Sequence, residues 1–234
     1  MNTWLLIPTY NERESLPRII AAVGAVGIEN LTTLIIDDNS PDGTGVVADQ
    51  LAASTANIKV LHRPLKQGLG PAYVEGFQQA LEQGAEAVIE MDADGSHDPA
   101  VIPSMLRSLE RVDIVVGSRY VKNGGTADWS RWRRFISNFG NLYARVLLRL
   151  PFRDLTSGFV AYRAEVLKTL DLQHIYSVGY NFQIEMKARS YWAGKTIEEL
   201  PIIFHERRNQ VSKFSLAIVV ESFWQVLQLA LRRR

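Results

Sequence analysis

The chain has 234 residues, 47% of them hydrophobic and 22% charged, with nine prolines, no cysteine and a formal net charge of +1. That length suits one large α/β domain or two small ones, and the composition is that of a globular protein rather than a disordered or fibrous one. The lack of cysteine excludes disulfides, thiolate metal centres and cysteine nucleophiles, and is in keeping with a reducing cytoplasm.

Thr3–Ile7 is the first of five short apolar runs rich in β-branched residues. The others are Thr33–Ile36, Ile58–Leu61, Ala87–Met91 and Ile114–Val116. Runs of this kind suit strands buried on both faces of a parallel sheet. Helical patterns fall between them, at about Glu12–Val23, Gly45–Ala53, Leu69–Gln83 and Pro99–Leu109. Pro99 suits a first helical turn with Asp98 as its N-cap. This alternation predicts a doubly wound α/β fold, in which ligands bind beyond the carboxyl ends of the strands.

The second half is less regular. Trp129–Leu150, Asn181–Trp192 and Ser212–Leu231 have helical spacing, and Phe159–Tyr162 and Ile197–Ile203 read as strands. No linker separates a second domain. The start lacks the basic residues of a signal peptide. No apolar run approaches the roughly 20 residues a spanning helix needs; the best candidate, Phe214–Val220, is stopped by Glu221. There is no repeat of fixed period.

The charge is divided unevenly. Residues 1–118 hold 7 Lys/Arg against 16 Asp/Glu, and residues 119–234 hold 19 against 9. An acidic, metal-holding half beside a basic half that meets phosphates would account for this, and so would chance clustering.

Polar residues gather after the strands, on the side where a site is expected. Asp92-Ala93-Asp94 follows an apolar strand. Two carboxylates at i and i+2 suit one hard divalent cation, since Mg²⁺ is typically held by one or two carboxylates plus substrate phosphates. A turn with helix-capping aspartates fits the tripeptide equally well. Asp37-Asp38-Asn39-Ser40-Pro41-Asp42-Gly43-Thr44 reads as a capping loop or as a nucleoside contact through its carboxylates. Neither the G-x-G-x-x-G fingerprint nor a Walker sequence is present, so nicotinamide and P-loop chemistry are unsupported.

These segments are ordered along the chain with Pro8-Thr9-Tyr10-Asn11-Glu12, Gly117-Ser118-Arg119-Tyr120, Asp154–Phe159, Gly179–Met186 and Ser212-Lys213. The ordered set resembles the dolichol-phosphate (polyprenyl-phosphate) mannose synthases of the family 2 glycosyltransferases and spans nearly the whole chain. The resemblance implies a GT-A fold: a Rossmann-like, mostly parallel central sheet with flanking helices and C-terminal interfacial amphipathic helices. It implies a catalytic domain over residues 1–211, with a nucleotide-sugar half at about 1–118 and an acceptor half at about 119–211. An amphipathic helix with a basic end follows over 212–234.

The implied reaction moves mannose from GDP-mannose to dolichyl or polyprenyl phosphate with inversion, using Mg²⁺ or Mn²⁺. Pro8, Tyr10 and Glu12 match residues that enclose the guanine end of the donor. Asp37 and Asp38 match the nucleoside-binding aspartates, Asp92 and Asp94 the metal-binding motif, and Ser96 a further metal contact. Arg119 and Arg131 match acceptor-phosphate arginines, with Asp94 completing the catalytic set. Arg207 and Lys213 match further phosphate-binding residues, although Gln210 stands where the family often has glycine.

A lipid phosphate is already anionic, so it needs holding more than it needs a base, and arginine grips phosphate with a planar fork. His97 has two readings, a metal or phosphate contact and a turn hydrogen bond. Trp132, Phe135, Ile136, Phe139, Leu142, Tyr143, Val146 and Leu147 recur at helical spacing among Arg131, Arg134, Arg145 and Arg149. The pattern fits a core-packed helix, and it fits an interfacial helix that seats a prenyl chain at a membrane surface.

The last helix ends in three arginines, which suit its dipole and anionic lipid. Its apolar face is expected against the catalytic domain or a small membrane partner subunit. The expected place is peripheral, on the cytoplasmic side of a membrane, with no nucleic-acid partner. The competing readings are a glucosyltransferase that uses a UDP-sugar and the same lipid, a soluble transferase acting on sugar hydroxyls, and a non-catalytic nucleotide-sugar-binding subunit.

Overall fold

The computed structural model describes residues 1–127, 129–175, 177, 179–205 and 216–232. The first part alternates strand and helix: β1 (Thr3–Thr9), α1 (Leu16–Ala25), β2 (Leu31–Asp37), α2 (Thr44–Ser54), β3 (Ile58–His62), α3 (Leu69–Glu82) and β4 (Ala87–Glu90). A 3₁₀ turn (Pro99–Val101) leads into α4 (Ile102–Leu109) and then β5 (Ile114–Ser118). The second part comprises β6 (Gly125–Thr126), α5 (Arg131–Leu148), β7 (Val160–Arg163), α6 (Ala164–Thr169), α7 (Tyr180–Trp192), β8 (Ile197–Pro201), β9 (Ile203–Phe204) and α8 (Leu216–Arg232).

Seven strands form one sheet in the order β3-β2-β1-β4-β7-β5-β8, and β6 pairs with β9 in a short second sheet. All neighbours in the large sheet run parallel except β7, which lies antiparallel between β4 and β5. Side chains alternate across the pleat, so each strand feeds two cores. Leu5, Ile7, Ile35 and Ile89 face α1 and α4 through Leu16, Ile19, Met105 and Leu109. Trp4, Leu6, Leu34 and Ile36 face α3 and α7 through Tyr73, Phe77, Phe182 and Met186. A third core joins α5, α7 and α8 through Ala144, Leu148, Ile184, Ala188, Val226 and Leu229.

Gly76 sets how closely α3 lies on the sheet. A Cβ at this position would stand 2.6 Å from Ile36 Cδ1 and 3.0 Å from Leu6 Cδ1. Only a bare backbone allows that approach.

Three departures from the sequence reading have local causes. Helix α1 begins at Leu16 rather than Glu12, because Asn11 takes φ 61° and Pro17 sits in the first turn. Asp98 caps as expected, accepting from Ala100 N–H at 2.9 Å, but the turn it caps is 3₁₀. The expected strand Ile197–Ile203 is two strands, since Ile202 N–H turns to Ser118 O at 3.0 Å after Pro201. Among the described residues no helix is long and apolar enough to cross a membrane.

Candidate active site

The carboxyl ends of β1, β2, β4 and β5 place the four expected motifs along one edge of the sheet. Two of the loops are stitched together. Asn11 N–H donates to Ser40 Oγ (3.1 Å), Glu12 N–H to Thr44 Oγ1 (2.9 Å) and Arg13 N–H to Asp42 Oδ2 (3.2 Å). Asp42 also accepts from Thr44 N–H at 2.9 Å and Thr44 Oγ1 at 2.6 Å. Burial would raise the Asp42 carboxyl, and these bonds outweigh it and leave it below the usual range. The Asp42–Thr44 segment is therefore a capping turn that also fixes Pro8, Tyr10 and Glu12 beside β2. Lys66 Nζ lies 3.5 Å from the centre of the Tyr10 ring, a cation–π contact at the mouth of this pocket.

Asp37 and Asp38 are adjacent and differently used. Asp37, buried at the end of β2, accepts from Ser40 Oγ at 2.6 Å and Thr9 Oγ1 at 3.4 Å. Asp38 forms a buried ion pair with Arg63, which also meets Glu75 at 3.0 Å and Gln67 at 2.9 Å. Burial raises the Asp38 carboxyl, and Arg63 opposes that only in part. Arg63 is a site residue that the sequence reading missed. Its one available signal was its position directly after β3, at the strand end where ligands bind.

Asp92 and Asp94 follow β4 and are both half-buried. Asp94 Oδ1 accepts Ser96 N–H at 2.9 Å. Gly158 lies against Asp92: a Cβ there would stand 3.6 Å from both Asp92 carboxylate oxygens, an ordinary contact. His97 is buried and stacked on Phe159, and its Nδ1 accepts Asp92 N–H at 3.3 Å. Of the two readings of His97, the structure shows the turn hydrogen bond.

Among the described residues no cluster of three or more His, Cys, Asp or Glu surrounds a common point. The residues present nevertheless fit a hard cation completed by substrate oxygens: two half-buried carboxylates stand two residues apart after β4, and the buried Ser96 Oγ has no hydrogen-bond partner among the described residues.

Arg119 ends the fifth strand's motif and is buried. Its backbone N–H, Nε and Nη2 donate to Asp154 at 2.9, 2.8 and 2.7 Å, and Nη2 also reaches Thr156 Oγ1 at 2.7 Å. The rings of Tyr120, Trp129 and Phe204 stand 5.3–5.7 Å from the guanidinium carbon. Two of its three guanidinium nitrogens thus serve the protein. Burial would lower the guanidinium pKa, and the Asp154 carboxylate more than reverses that.

Arg131 is exposed in the first turn of α5, whose N-cap Ser130 accepts Arg133 N–H at 3.2 Å. Its neighbours are anchored: Arg133 lies 4.3 Å over the Trp129 ring, and Arg134 Nε donates to Trp129 O at 3.1 Å. Arg207 and Lys213 lie outside the described residues.

The end of β4, just before Asp92, carries a buried polar group that sequence reasoning also missed. Gln183 Nε2 donates to Glu90 Oε2 at 2.7 Å. Lys187 Nζ donates to Ser157 O at 2.8 Å, Leu155 O at 3.2 Å and Gln183 Oε1 at 3.2 Å. Burial pushes Glu90 up to about 8 and Lys187 down to about 8. A signal was present: Glu90 is a lone charge inside an otherwise apolar strand, which calls for a buried partner.

A mostly parallel sheet with flanking helices and carboxylates at its strand ends is a fold of GT-A type. Residues 4–171 match the family model described as glycosyl transferase family 2, and the chain belongs to that family. It is 44% identical over 234 residues to an undecaprenyl-phosphate mannosyltransferase of Micrococcus luteus, covering 100% of this chain and 96% of the relative. It is 43% identical over 235 residues to a polyprenol monophosphomannose synthase of Mycolicibacterium smegmatis, covering 99% and 88%.

Among solved structures, glucosyl-3-phosphoglycerate synthase from Mycobacterium tuberculosis, in complex with Mn²⁺, UDP-glucose and phosphoglyceric acid, superimposes with a TM-score of 0.72. Its identity is 16%, and the match covers 99% of this chain and 79% of that one. At that identity the likeness speaks for the fold alone.

Proposed function

We propose that the chain is a polyprenyl-phosphate mannosyltransferase, moving mannose from GDP-mannose to a polyprenyl or dolichyl phosphate with inversion at the sugar carbon. The observation that carries this is the full-length identity to two enzymes named for that activity. The proposal treats residues 1–211 as the catalytic unit, with about 1–118 serving the donor and 119–211 the acceptor, closed by the helix at 212–234.

In this reading Pro8, Tyr10, Glu12 and Asp37 line the nucleoside pocket, and Asp38 acts by holding Arg63 in place. Asp92, Asp94 and Ser96 hold Mg²⁺ or Mn²⁺. Such an ion stabilises charge on the departing diphosphate when bound. Arg119, Arg131, Arg207 and Lys213 meet phosphates. Arg131 lies at a helix N-terminus with no acidic residue in its first turn, where an anion is favoured by the backbone N–H groups. The acceptor arrives as an anion, so the residues around it orient it and exclude water rather than remove a proton.

The membrane reading of α5 also belongs here. Trp132 is 69% exposed, Phe135 60% and Val146 66%, and the rings of Trp132, Phe135 and Phe139 stack along the helix. An aromatic ridge flanked by arginines suits an enzyme seated on a membrane surface, here its cytoplasmic side. Helix α8 packs against the same helix, with Tyr143 OH donating to Phe223 O at 3.3 Å.

The test is transfer by the purified chain alone, with Mg²⁺ or Mn²⁺, short-chain polyprenyl phosphate and, in separate reactions, GDP-mannose and UDP-glucose. Mannose transfer is the expected result, and it would also make a partner subunit unnecessary. Transfer from UDP-glucose only would make the chain a glucosyltransferase. Donor binding without any transfer would favour the non-catalytic subunit.

A further inference from the structure

A recess of about 190 Å³ opens beside the C-terminal half of α5, lined by Tyr120, Asn138, Asn141, Leu142, Arg145 and Arg153. We infer that it is a binding site for the phosphate headgroup of an anionic membrane lipid, separate from the donor and acceptor sites.

The lining has the chemistry of an anion site. The Arg145 side chain makes no hydrogen bond or ion pair with any described residue. Arg153 spends one Nη1 bond, at 3.4 Å, on Tyr120 O. Two arginines without a carboxylate between them, beside two side-chain amides, present donors in the arrangement phosphate accepts. The Glu199 carboxylate accepts from the backbone N–H groups of Arg153 (2.8 Å) and Asp154 (2.9 Å) and does not line the recess.

Side chains that line the recess are bonded toward the Arg119 centre. Asn141 Nδ2 donates to Thr156 Oγ1 at 3.3 Å, Thr156 Oγ1 accepts from Arg119, and Tyr120 OH is 2.6 Å from Ser137 Oγ. Neither Arg119 nor Arg131 lines the recess, and on that ground it is taken as a second site rather than an extension of the first.

The lipid source follows from what borders the recess. Leu142 forms part of its rim and is 51% exposed, between the exposed Phe139 and Val146 on the same helix. An amphiphile with its phosphate between Arg145 and Arg153 would lay its chains along that ridge. A free phosphate would have no use for the ridge.

The inference rests on the membrane-facing reading of α5, and one set of measurements separates the two. Binding of the full chain is measured by flotation with phosphatidylcholine vesicles, with and without phosphatidylglycerol. Three proteins are compared: wild type, Arg145→Gln/Arg153→Gln and Arg145→Lys/Arg153→Lys. Wild type should gain affinity from phosphatidylglycerol, by about fivefold for each arginine engaged. The lysine variant keeps the charge and loses the fork. It should lose most of that gain, as the glutamine variant does, and keep its binding to neutral vesicles.

A lysine variant with the full gain would mean diffuse attraction to a basic surface and would overturn the site. Failure of every protein to bind any vesicle would remove the membrane reading itself. A melting temperature raised by inorganic phosphate in wild type but not in the lysine variant, with no phosphatidylglycerol effect, would make the ligand free phosphate and overturn the lipid assignment.

Discussion

Arg119 and Asp154 are joined by three hydrogen bonds, from the arginine's backbone N–H, Nε and Nη2, at 2.7–2.9 Å, with Asp154 fully buried. The pair ties the turn after β5 to the turn before β7, so a residue expected to meet phosphate is also part of the frame. Arg119→Ala would leave a buried carboxylate uncompensated, at a cost of about 3–5 kcal/mol. Its melting temperature should fall well below that of wild type. An unchanged melt would remove the framing role and leave only the phosphate role.

The same pair sets a pH dependence. Burial alone would raise the Asp154 carboxyl, but Arg119 prevails and holds it below its ordinary value. A carboxyl depressed by folding contributes stability above its unfolded pKa of about 3.9 and loses it as pH falls through the folded value. Urea midpoints of wild type and Asp154→Asn should differ most near neutral pH and converge under acid. A gap that stayed constant down to the acid transition would contradict this account.

Asp94→Ala should reduce metal-dependent transfer by about 10²–10³-fold. The lost carboxylate is half-buried and accepts from a backbone N–H within its own turn, so stability should change by about 0.5 kcal/mol or less. Mn²⁺ binding followed by electron paramagnetic resonance gives a readout independent of turnover. Unaltered Mn²⁺ affinity would remove Asp94 from the metal site.

Gly45 stands against Asp37, the aspartate proposed to meet the nucleoside. A Cβ there would lie 2.9 Å from Asp37 Oδ2 and 3.3 Å from the His62 ring. Gly45→Ala should therefore push Asp37 out of place, raising the donor KM while leaving acceptor KM unchanged, for about 1–3 kcal/mol of overpacking. Equal effects on both substrates would place Asp37 elsewhere in the reaction.

Lys187 is a positioning residue. It holds the Leu155 and Ser157 carbonyls, and so the turn that carries Asp154 and Gly158 to the two motifs. Lys187→Met should cost about 1–3 kcal/mol for each carbonyl left without a donor. It should also weaken Mn²⁺ binding, although the Lys187 hydrogen bonds go to Leu155, Ser157 and Gln183 and not to Asp92, Asp94 or Ser96. Full stability with normal Mn²⁺ affinity would rule this out.

How much of this was legible in the chain depends on the range of the forces involved. β1 and β2 were readable because a strand buried on both faces has to be apolar throughout, and Leu5–Ile7 and Leu34–Ile36 are. The place of Asp92 and Asp94 at the carboxyl edge of the sheet was readable because they directly follow an apolar run. The antiparallel seat of β7 was not readable, since Ala161 pairs with Ile89 and Val115 across distant stretches of chain. Arg63 and Lys187 were hidden for a related reason. Each is a single polar residue in an ordinary local setting, and its partners Asp38, Ser157 and Leu155 are brought to it only by the tertiary fold.

The seat of β7 has a consequence for synthesis. As the chain leaves the ribosome, β1 to β4 can pair among themselves, and β5 follows. The outer edge of β4, which leads directly into the metal motif, stays open until Val160–Arg163 arrives about 70 residues later. Open edges recruit other strands. A nascent or truncated chain ending near residue 118 would present two of them, and its acidic motif would lack the Gly158 turn that backs it. The reaction centre is thus completed late in translation, by the segment that closes the sheet.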